Sequence, residues 1–440
     1  MIVMKFGGTS VQHAVAMSQS ANIVTSQSAQ KPIVVLSACS GITNKLVQLS
    51  TAIISNHKFA ETIISDIIEH HRNVVKELSI REDLRIQLHE AVEQKIEEFT
   101  TFLKGITLLK ECTPRSTDTL LSFGEFFSTT IFTFLLQEMG LKSVFVSAKD
   151  CIKTSRDFGR AIVDYEASKH AIMQIIPSIL ETADCIVTQG FVGSFEGITT
   201  TLGRGGSDFS AAVFGYALST KEIQIWTDVS GVFTTDPRMV PSATTIPQLT
   251  FDEIRDLSVY GAKVLHPETI LPAVKSSIPV KVLNTFRPED QGTVIHTVPM
   301  ESIGKAKAVS ALKQCRTFSI FVPIEQESEQ VLHSVYAKLQ KEGISVFLLT
   351  LTESCIQFTT NSPLEDVVPL LQNVKFSFQQ TSLLCVLVEA QLSTRSTIIQ
   401  SIEIFDILQV SINSSENSMV IICKEEDTIP IVTAIHSTII

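Results

Sequence analysis

The length and composition of the chain limit what it can be. With 440 residues it is too long for one ordinary hydrophobic core, so we expect two or three domains. Hydrophobic residues make up 44% and charged residues 18%, as in a folded globular protein, which excludes a largely disordered chain. The formal net charge of -11 disfavours sequence-independent binding to nucleic acid or to an anionic membrane.

The chain carries no sequence signal for export, membrane insertion or structural metal binding. Lys5 and two glycines follow the first four residues, so we expect no signal peptide, and the apolar run at residues 129–136 is too short to span a bilayer. The eight cysteines include no C-x-x-C pair, which predicts neither a zinc site nor a redox dithiol. We therefore expect a protein of the reducing cytoplasm.

The N-terminal part alternates short β-rich runs with helical patterns. Helical patterns lie between most of the predicted strands, which favours a mainly parallel sheet covered on both faces. From residue 60 to 103 isoleucines recur at helical spacing, which predicts a helical insertion between two strands. The predicted strands are residues 2–6, 32–37, 141–147, 184–188, 198–201, 222–227 and 279–283.

The pattern changes beyond a linker that we predict at residues 288–307. Two cycles of strand, helix, strand and strand follow, and their similar size predicts tandem copies of one small α+β unit. The predicted strands are residues 317–322, 344–351, 354–360, 382–389, 405–412 and 418–424, and the helices are 325–341, 363–372, 393–401 and a last one from 426.

The first chemical motif is KFGGTS at residues 5–10, directly after the first predicted strand. Gly7 and Gly8 let the backbone approach an anion closely, and their amides can donate hydrogen bonds to it. Lys5 adds a positive charge for a phosphate. Taken alone, these six residues fit a surface lysine beside a glycine turn better.

The second motif is LGRGGSDFS at residues 202–210, between a predicted strand and a helical run. A glycine-rich turn from strand to helix puts free amides and the positive helix end where an anion would sit. Arg204 can bind a carboxylate in bidentate fashion. Asp208 fits a simple helix cap, but a cap explains neither Arg204 nor the glycines.

Two further motifs are weaker signals. WTDVSGVFTTDPR, at residues 226–238, contains two turns after a strand, and Arg238 is a candidate phosphate contact, although a solvated arginine is the ordinary interpretation. SFGE, at residues 122–125, places Glu125 in a helical pattern, where a lone glutamate usually faces solvent.

The common nucleotide and metal motifs are missing from the sequence. There is no G-x-x-x-x-G-K-[ST] phosphate loop, and Gly203-x-Gly205 lacks the third glycine of the dinucleotide fingerprint. The segment HEAVE at residues 89–93 lacks the second histidine of a zinc-protease helix, and His70 and His71, which we place on the polar side of a predicted helix, have no ligand spacing. We interpret these three histidines as structural or solvated and predict no metal ligands.

Taken together and in this order, the motifs resemble those of the aspartokinases, which are members of the amino-acid kinase family. The matching segments span most of the first 295 residues. They are KFGGTS from residue 5, VVLSACSGITN from 34, SFGE from 122, TLGRGGSDFSAA from 201, WTDVSGVFTTDPR from 226 and GAKVLHP from 261.

The resemblance implies an αβα sandwich over residues 1–295 that uses ATP to phosphorylate the side-chain carboxylate of L-aspartate. This reaction is the first step towards lysine, diaminopimelate, threonine and methionine. Lys5 would neutralise the phosphoryl group during transfer, and Asp208 would organise Lys5. Arg204 would bind the α-carboxylate and Glu125 the α-ammonium of the substrate. Mg²⁺ would bridge the phosphates with few direct protein ligands.

The resemblance assigns further residues to the substrate and the nucleotide. Phe233 departs from the tyrosine common in relatives, so it keeps a stacking surface but loses a hydroxyl. The further aspartate contacts are Thr43, Gly205, Gly206 and Ser207, and the ATP contacts are Gly7, Gly8, Ser37, Thr227, Asp228, Phe233, Arg238, Lys263 and Val264.

The C-terminal cycles, within residues 306–440, resemble paired ACT regulatory domains of ferredoxin-like α+β fold, at about residues 315–380 and 381–440. Such domains usually pair across a dimer and bind an end-product amino acid. The resemblance therefore implies a homodimer with lysine as the usual effector and threonine as the next candidate. Phe347 stands where relatives carry an aspartate, which weakens the case for tight lysine feedback. The candidate effector contacts are Ser345, Val346, Thr352 and Glu353.

Two alternatives stay open at this point. The chain could be an amino-acid kinase with another acceptor, which a comparison of aspartate with glutamate as substrates would decide. It could also be a non-catalytic amino-acid sensor, although Lys5, Arg204 and Asp208 are all present. Since no dinucleotide fingerprint precedes Ile440, we expect no fused homoserine dehydrogenase.

Overall fold

The computed structural model describes residues 1–262, 265, 267–296, 307–388, 392–412 and 418–439. These residues form two compact units. Unit 1 comprises Met1–Val232, Pro247–Phe251 and Leu265–Val298, and unit 2 comprises Phe233–Ile246, Asp252–Val264 and Pro299–Ile440.

Unit 1 is built on a sheet of eight strands among the described residues, in the order β3-β4-β2-β1-β7-β9-β10-β8. The strands from β3 to β9 in this order are parallel, and β1, β2 and β4 are buried along their whole length, as expected for strands covered on both faces. The strands of unit 1 are β1 (Val3–Phe6), β2 (Ile33–Leu36), β3 (Ser143–Phe145), β4 (Cys185–Gln189), β5 (Val192–Phe195), β6 (Ile198–Thr201), β7 (Ile223–Thr227), β8 (Gln248–Thr250), β9 (Val280–Asn284) and β10 (Thr293–His296).

All seven strands predicted in this part of the chain are confirmed. Three strands were not predicted: β5 pairs with β6 as a separate hairpin, while β8 and β10 extend the main sheet at its edge. The strand β10 lies inside the predicted linker at residues 288–307, so that part of the linker prediction is wrong. Its four residues are too few to be distinguished from a loop by periodicity.

Helices surround this sheet, and four of them occupy the long connection between β2 and β3. The predicted helical insertion is confirmed in α3 and α4, and the helical region continues on both sides. The helices of unit 1 are α1 (Ala14–Ser26), α2 (Ile42–Ser55), α3 (His57–Glu77), α4 (Glu82–Leu109), α5 (Pro114–Glu138), α6 (Ala148–Cys151), α7 (Tyr165–Leu180), α8 (Gly206–Leu218) and α10 (Leu271–Lys275); all residues of α9 (Phe251–Val259) but the first belong to unit 2.

The helix α5 changes one argument made from the sequence. The apolar run at residues 129–136 belongs to this 25-residue helix, which is long and apolar enough to cross a membrane by length and composition. Its length therefore does not exclude a span, and that part of the prediction is wrong. However, 78% of its most apolar 18-residue window is buried inside the protein, as in the central helix of a core.

Unit 2 contains one antiparallel sheet in the order β12-β13-β11-β14-β16-β15. The strands β11 and β14 pair along almost their full length, and the predicted boundary at residues 380/381 falls inside β14. The two predicted cycles therefore share one sheet. The elements are β11 (Ala308–Phe321), α11 (Ser328–Lys341), β12 (Leu348–Leu351), β13 (Cys355–Thr360), α12 (Leu364–Val367), β14 (Lys375–Leu387), α13 (Leu392–Ser401), β15 (Ile407–Ile412), β16 (Ser418–Lys424) and α14 (Thr428–Ile439).

The sheet of unit 2 is curled. Gln409 on β15 donates a hydrogen bond to the Thr350 hydroxyl on β12 at 2.8 Å, although these strands stand at opposite ends of the sheet order. Two apolar clusters pack alternate sheet residues such as Phe318 and Leu384 against the helices. The predicted fold class, an α/β sandwich followed by α+β units, is confirmed.

Candidate functional site

The candidate site of unit 1 lies at one edge of the parallel sheet. The strands β4, β2, β1 and β7 are neighbours, and parallel strands present their carboxyl ends at the same edge. This arrangement places three segments side by side: the KFGGTS motif, the loop after β2 and residues 227–228. Their order along the chain does not predict that they are neighbours.

Lys5 is held next to the start of α8. Its Nζ lies 2.7 Å from Asp208 Oδ1, and the two side chains are only 10% and 15% exposed. Asp208 Oδ1 has no well-directed hydrogen bond among the described residues, so the contact is mainly an ion pair. The structure thus brings together the two residues to which the resemblance assigns catalysis.

The start of α8 fits closely against the loop after β4. Gly205 adopts φ 72° just before the helix, a left-handed conformation that favours glycine. A Cβ atom on Gly190 would lie 2.5 Å from Ser207 Cβ, and one on Gly206 would lie 2.8 Å from the Phe191 ring. These glycines fix where the first turn of α8, with Ser207 and Asp208, meets the sheet edge.

The loop after β1 is bound to its neighbours on both sides. The Gly7 amide donates to the Trp226 carbonyl at 3.0 Å, so the prediction that this amide is free for a phosphate is wrong. The Gly8 amide has no acceptor among the described residues, while its carbonyl accepts from the Ser40 amide at 3.1 Å. A Cβ on Gly8 would lie 2.9 Å from the Ala38 carbonyl oxygen, which explains the glycine.

Glu125 does not face solvent, contrary to the ordinary interpretation of a lone helical glutamate. It is 3% exposed on α5, and its Oε1 accepts a hydrogen bond from the Ala38 amide at 3.1 Å. Its Oε2 is buried without a partner. Burial raises the pKa of Glu125 to about 8, because desolvation outweighs the stabilising hydrogen bonds from Ala38 and its own backbone.

Arg204 is the exposed member of the glycine-rich turn. It has no hydrogen-bond or ion-pair partner within the described part of the chain. Ser207 beside it is half-buried. Ser37 and Thr43, in the loop after β2 and the first turn of α2, are also half-buried, and the Ser37 carbonyl accepts from the Ser128 hydroxyl at 2.8 Å.

The end of β7 provides one free carboxylate. The Thr227 hydroxyl donates to Asp228 Oδ1 at 3.1 Å, and Asp228 is exposed. The Thr227 carbonyl accepts from the Thr285 amide at 2.8 Å, which fixes the end of the strand against the residue after β9.

The other predicted nucleotide contacts are not in unit 1. Phe233 is half-buried in unit 2 and bridges to Thr245. Arg238 Nη2 lies 2.6 Å from Asp236 Oδ2, and the Arg238 side chain is 85% exposed. Lys263 and Val264 lie outside the described residues.

The candidate effector residues of unit 2 fall into two places. Ser345 and Val346 precede β12, whereas Thr352 and Glu353 form the turn after it, so this four-residue strand, roughly 13 Å long, lies between the pairs. Phe347 packs against an apolar cluster on the sheet.

Sequence reasoning did not identify Asp118. It is fully buried on α5 and accepts hydrogen bonds from the Gly159 amide at 3.0 Å and from the Thr201 amide and hydroxyl at 3.0 and 2.8 Å. Thr201 ends β6, directly before the glycine-rich turn. Burial raises the pKa of Asp118, against the effect of these hydrogen bonds. An isolated aspartate in a helical pattern gives no sequence signal of such a role.

The interpretation of the histidines was partly wrong. His71 does not lie on the polar side of its helix: it is fully buried on α3, with its ring stacked 4.4 Å from that of Phe127. Burial lowers the pKa of His71 to about 3, so the ring is neutral at ordinary pH.

Known proteins share both the sequence and the fold. A profile described as the amino acid kinase family matches residues 1–284. Over 366 residues the chain is 37% identical to lysine-sensitive aspartokinase 3 of Escherichia coli, covering 82% of this chain and 78% of the relative. It is 35% identical to the chloroplastic aspartokinase 2 of Arabidopsis thaliana, covering 81% of this chain and 65% of that one.

The crystal structure of E. coli aspartokinase III in complex with aspartate and ADP superimposes with a TM-score of 0.85 at 30% identity, covering 100% of this chain and 99% of that one. The complex of the same enzyme with lysine and aspartate matches equally well. The chain belongs to the amino acid kinase family. Within that family its relatives are aspartokinases, so the predicted resemblance is confirmed.

Proposed function

We propose that the chain transfers the γ-phosphoryl group of ATP to the side-chain carboxylate of L-aspartate and forms 4-phospho-L-aspartate. The observation that carries the proposal is the buried ion pair of Lys5 with Asp208 beside the glycine-rich start of α8. The relatives named aspartokinase support the choice of acceptor.

The chemistry needs charge stabilisation more than a base. The attacking carboxylate is already ionised near neutral pH, so no proton has to be removed from it. Negative charge spreads over the phosphoryl oxygens during transfer, and a fixed ammonium stabilises it in a site with little water. Asp208 keeps the Lys5 ammonium at the sheet edge until the phosphates arrive.

Aspartate is selected at two charged ends. Arg204, free of partners among the described residues, binds the α-carboxylate as a bidentate donor. Glu125 Oε2, buried and unpaired, accepts the α-ammonium. A buried carboxyl group with a raised pKa gains its charge when a cation comes next to it, so ammonium binding and ionisation of Glu125 support each other.

Mg²⁺ fits this site as an ion that the nucleotide brings with it. Of the two carboxylates described at this part of the edge, Asp208 is paired with Lys5 and Asp228 is exposed. The described residues form no cluster of three acidic ligands there. One free carboxylate suits Mg²⁺, which keeps several waters and binds mainly through phosphates and one or two carboxylates. Bound there, the ion would neutralise phosphate charge.

The test is an assay of ATP with L-aspartate in which hydroxylamine traps the acyl phosphate as a hydroxamate. We expect hydroxamate with aspartate but not with L-glutamate, and a rate lower by roughly 10³-fold in Lys5→Ala. Lys95→Ala, on α4 and paired there with Glu98, is the matched control and keeps the full rate. Hydroxamate formation that is absent in the wild type, or unaffected by Lys5→Ala, contradicts the proposal.

We further propose that unit 2 comprises the ACT regulatory domains predicted within residues 306–440 and that any inhibition by lysine is weak. The E. coli relative is named lysine-sensitive. In this chain Phe347 lies in an apolar cluster, and the Thr352 hydroxyl is bonded to the Cys355 amide and carbonyl at 3.0 Å. Neither offers a carboxylate to a lysine ammonium. Lysine and threonine titrations of the same assay test this, and half-inhibition at micromolar lysine would contradict it.

The proposed setting is the reducing cytoplasm, with two copies of the chain paired through unit 2. All eight cysteines are free thiols, most of them buried, as is usual for proteins kept reduced.

Apolar side chains stand exposed on the two edge strands: Leu349 and Leu351 on β12 at 40% and 39%, and Val410 and Ile412 on β15 at 36% and 43%. Exposed apolar side chains on edge strands favour pairing with another chain.

A further inference from the structure

Three side chains that the proposed reaction does not use lie close together at the loop after β2. Cys39 Sγ and one ring nitrogen each of His70 and His71 lie within 4.8 Å of one another. Cys39 follows β2 and is 1% exposed, while both histidines come from α3. Cys39 is distant in sequence from the two adjacent histidines, so no ligand spacing in the sequence indicates the cluster.

Both histidines present an unused lone pair. His71 Nδ1 lies 2.7 Å from the Ile67 carbonyl, and the His70 ring bonds the backbone of Gln12. A carbonyl only accepts, so each Nδ1 carries the proton and each Nε2 carries the lone pair. Both Nε2 atoms are buried without a partner.

Without a ligand this arrangement destabilises the folded protein, whereas around a bound metal ion it is common. A buried polar atom without a hydrogen bond costs about 1–3 kcal/mol. Histidines that bind metals usually donate the other ring nitrogen to a backbone carbonyl or a carboxylate, which fixes the tautomer and aims the lone pair. Burial also lowers the pKa of both rings, so they are in the neutral form that metals bind.

We propose that Cys39 Sγ, His70 Nε2 and His71 Nε2 bind one thiophilic transition-metal ion, with Zn²⁺ as the expected occupant. One thiolate and two imidazoles suit Zn²⁺, whereas Mg²⁺ and Ca²⁺ prefer oxygen ligands. The Cys39 thiol releases its proton to solvent as the sulfur–metal bond forms. In a tetrahedral site ligand atoms stand about 3.5 Å apart, so atoms that lie within 4.8 Å of one another approach by up to about 1.3 Å when the metal binds.

The ion would connect the helical insertion to the substrate site. The residue before Cys39 is Ala38, whose amide holds Glu125 Oε1 at 3.1 Å. The residue after it is Ser40, whose amide holds the Gly8 carbonyl at 3.1 Å. A metal bond to Cys39 would therefore hold in place the loop after β2, whose amides bond Glu125 and Gly8.

The test uses the full chain, reduced, stripped of metal and free of nucleotide. Co²⁺ is the probe, since a cysteine ligand gives a thiolate-to-cobalt charge-transfer band. We expect one Co²⁺ per chain with this band, displaced by Zn²⁺ and not by Mg²⁺. Cys39→Ser should remove the band, and His70→Gln should weaken binding by at least about tenfold. Cys185→Ser, a buried cysteine on β4 outside the cluster, is the matched control and should keep the band.

Circular dichroism checks that each variant is folded. If Cys39→Ser does not fold, His70→Gln still decides, since its ring is only partly buried. A folded wild type without the band overturns the proposal. So does a band that survives in Cys39→Ser, unweakened binding in His70→Gln, or loss of the band in Cys185→Ser. The readout is metal binding, so the outcome does not depend on the kinase activity.

Discussion

At the scale of single residues, Glu125 has a raised pKa that its place in the sequence does not predict. Its carboxyl group is buried on α5 with one oxygen bonded to Ala38 and the other unpaired. The raised pKa, about 8, means that the folded protein holds a proton that the unfolded chain releases near 4.5. The contribution of Glu125 to stability is therefore present in full below about pH 4.5 and is lost as the pH rises towards 8.

We predict that Glu125→Gln removes this pH dependence. Glutamine keeps an oxygen for the Ala38 amide and does not ionise, so its free energy of unfolding should fall less between pH 5.5 and pH 8 than that of the wild type. The lost charge should also raise the KM for aspartate about 10- to 100-fold. Urea denaturation at the two pH values and initial rates measure these effects. Glu98→Gln, exposed on α4, is the control, and equal pH slopes for all three proteins would contradict the prediction.

The residue roles divide by how far their chemistry shows in the sequence. Lys5, Arg204 and Asp208 stand in glycine-rich motifs after strands, a setting from which the sequence predicts a role in binding anions. The hydrogen bond of the Gly7 amide could not be predicted, because its acceptor, the Trp226 carbonyl, belongs to a strand more than two hundred positions away. Asp118 was missed for the same reason.

At the scale of elements, the start of α8 is fixed by contact with the loop after β4. Gly190 and Ser207 approach so closely that any side chain at 190 would push the helix away. Ser207 and Asp208 stand in the first turn of that helix, so the position of the ion pair with Lys5 depends on this contact.

We predict that Gly190→Ala lowers both stability and activity. The new Cβ would lie 2.5 Å from Ser207 Cβ and 2.8 Å from its Cα, so the helix start must move, at a cost of about 1–3 kcal/mol. Thermal denaturation and the hydroxamate assay measure the two effects.

Gly105→Ala is the matched control, because Gly105 lies inside α4 and no atom stands within 4 Å of its added Cβ. It should stabilise the protein by about 0.5–1 kcal/mol and leave the activity unchanged. Equal activities of the two variants would show that the close approach at Gly190 does not position the site.

At the scale of the whole molecule, the two edge strands of the unit 2 sheet approach each other but keep apolar side chains exposed. The strands β12 and β15 meet through the Gln409–Thr350 bond and through Leu348 and Leu408, which pack against one apolar cluster, but each strand also carries two exposed apolar side chains at alternate positions. This exposure is what an interface between copies of the chain would cover.

We predict that charges on these edge strands dissociate the proposed dimer. The double variant Leu349→Glu/Leu351→Glu puts four like charges at a two-fold interface and should weaken dimerisation at least about tenfold. Light scattering after size exclusion measures the mass. Leu108→Glu, 83% exposed on α4, should leave the dimer intact, and a dimer in both variants would refute this interface.

The sequence by itself determined the strands and helices with strong periodicity, the kinase motifs and the resemblance to the aspartokinases. These depend on local spacing and on residue types that the chemistry requires. Pairing with distant segments decided two further features. It makes residues 293–296 a strand, β10, and it joins β11 to β14, so that the two predicted cycles share one sheet.

Tertiary structure alone decided which polar groups are buried and what they face. Glu125, Asp118 and the cluster of Cys39, His70 and His71 owe their properties to neighbours from other elements. Burial and partner geometry set the ionisation and ligand affinity of such groups, and neither is encoded in the spacing of residues along the chain. The proposed metal site is therefore visible only in the fold.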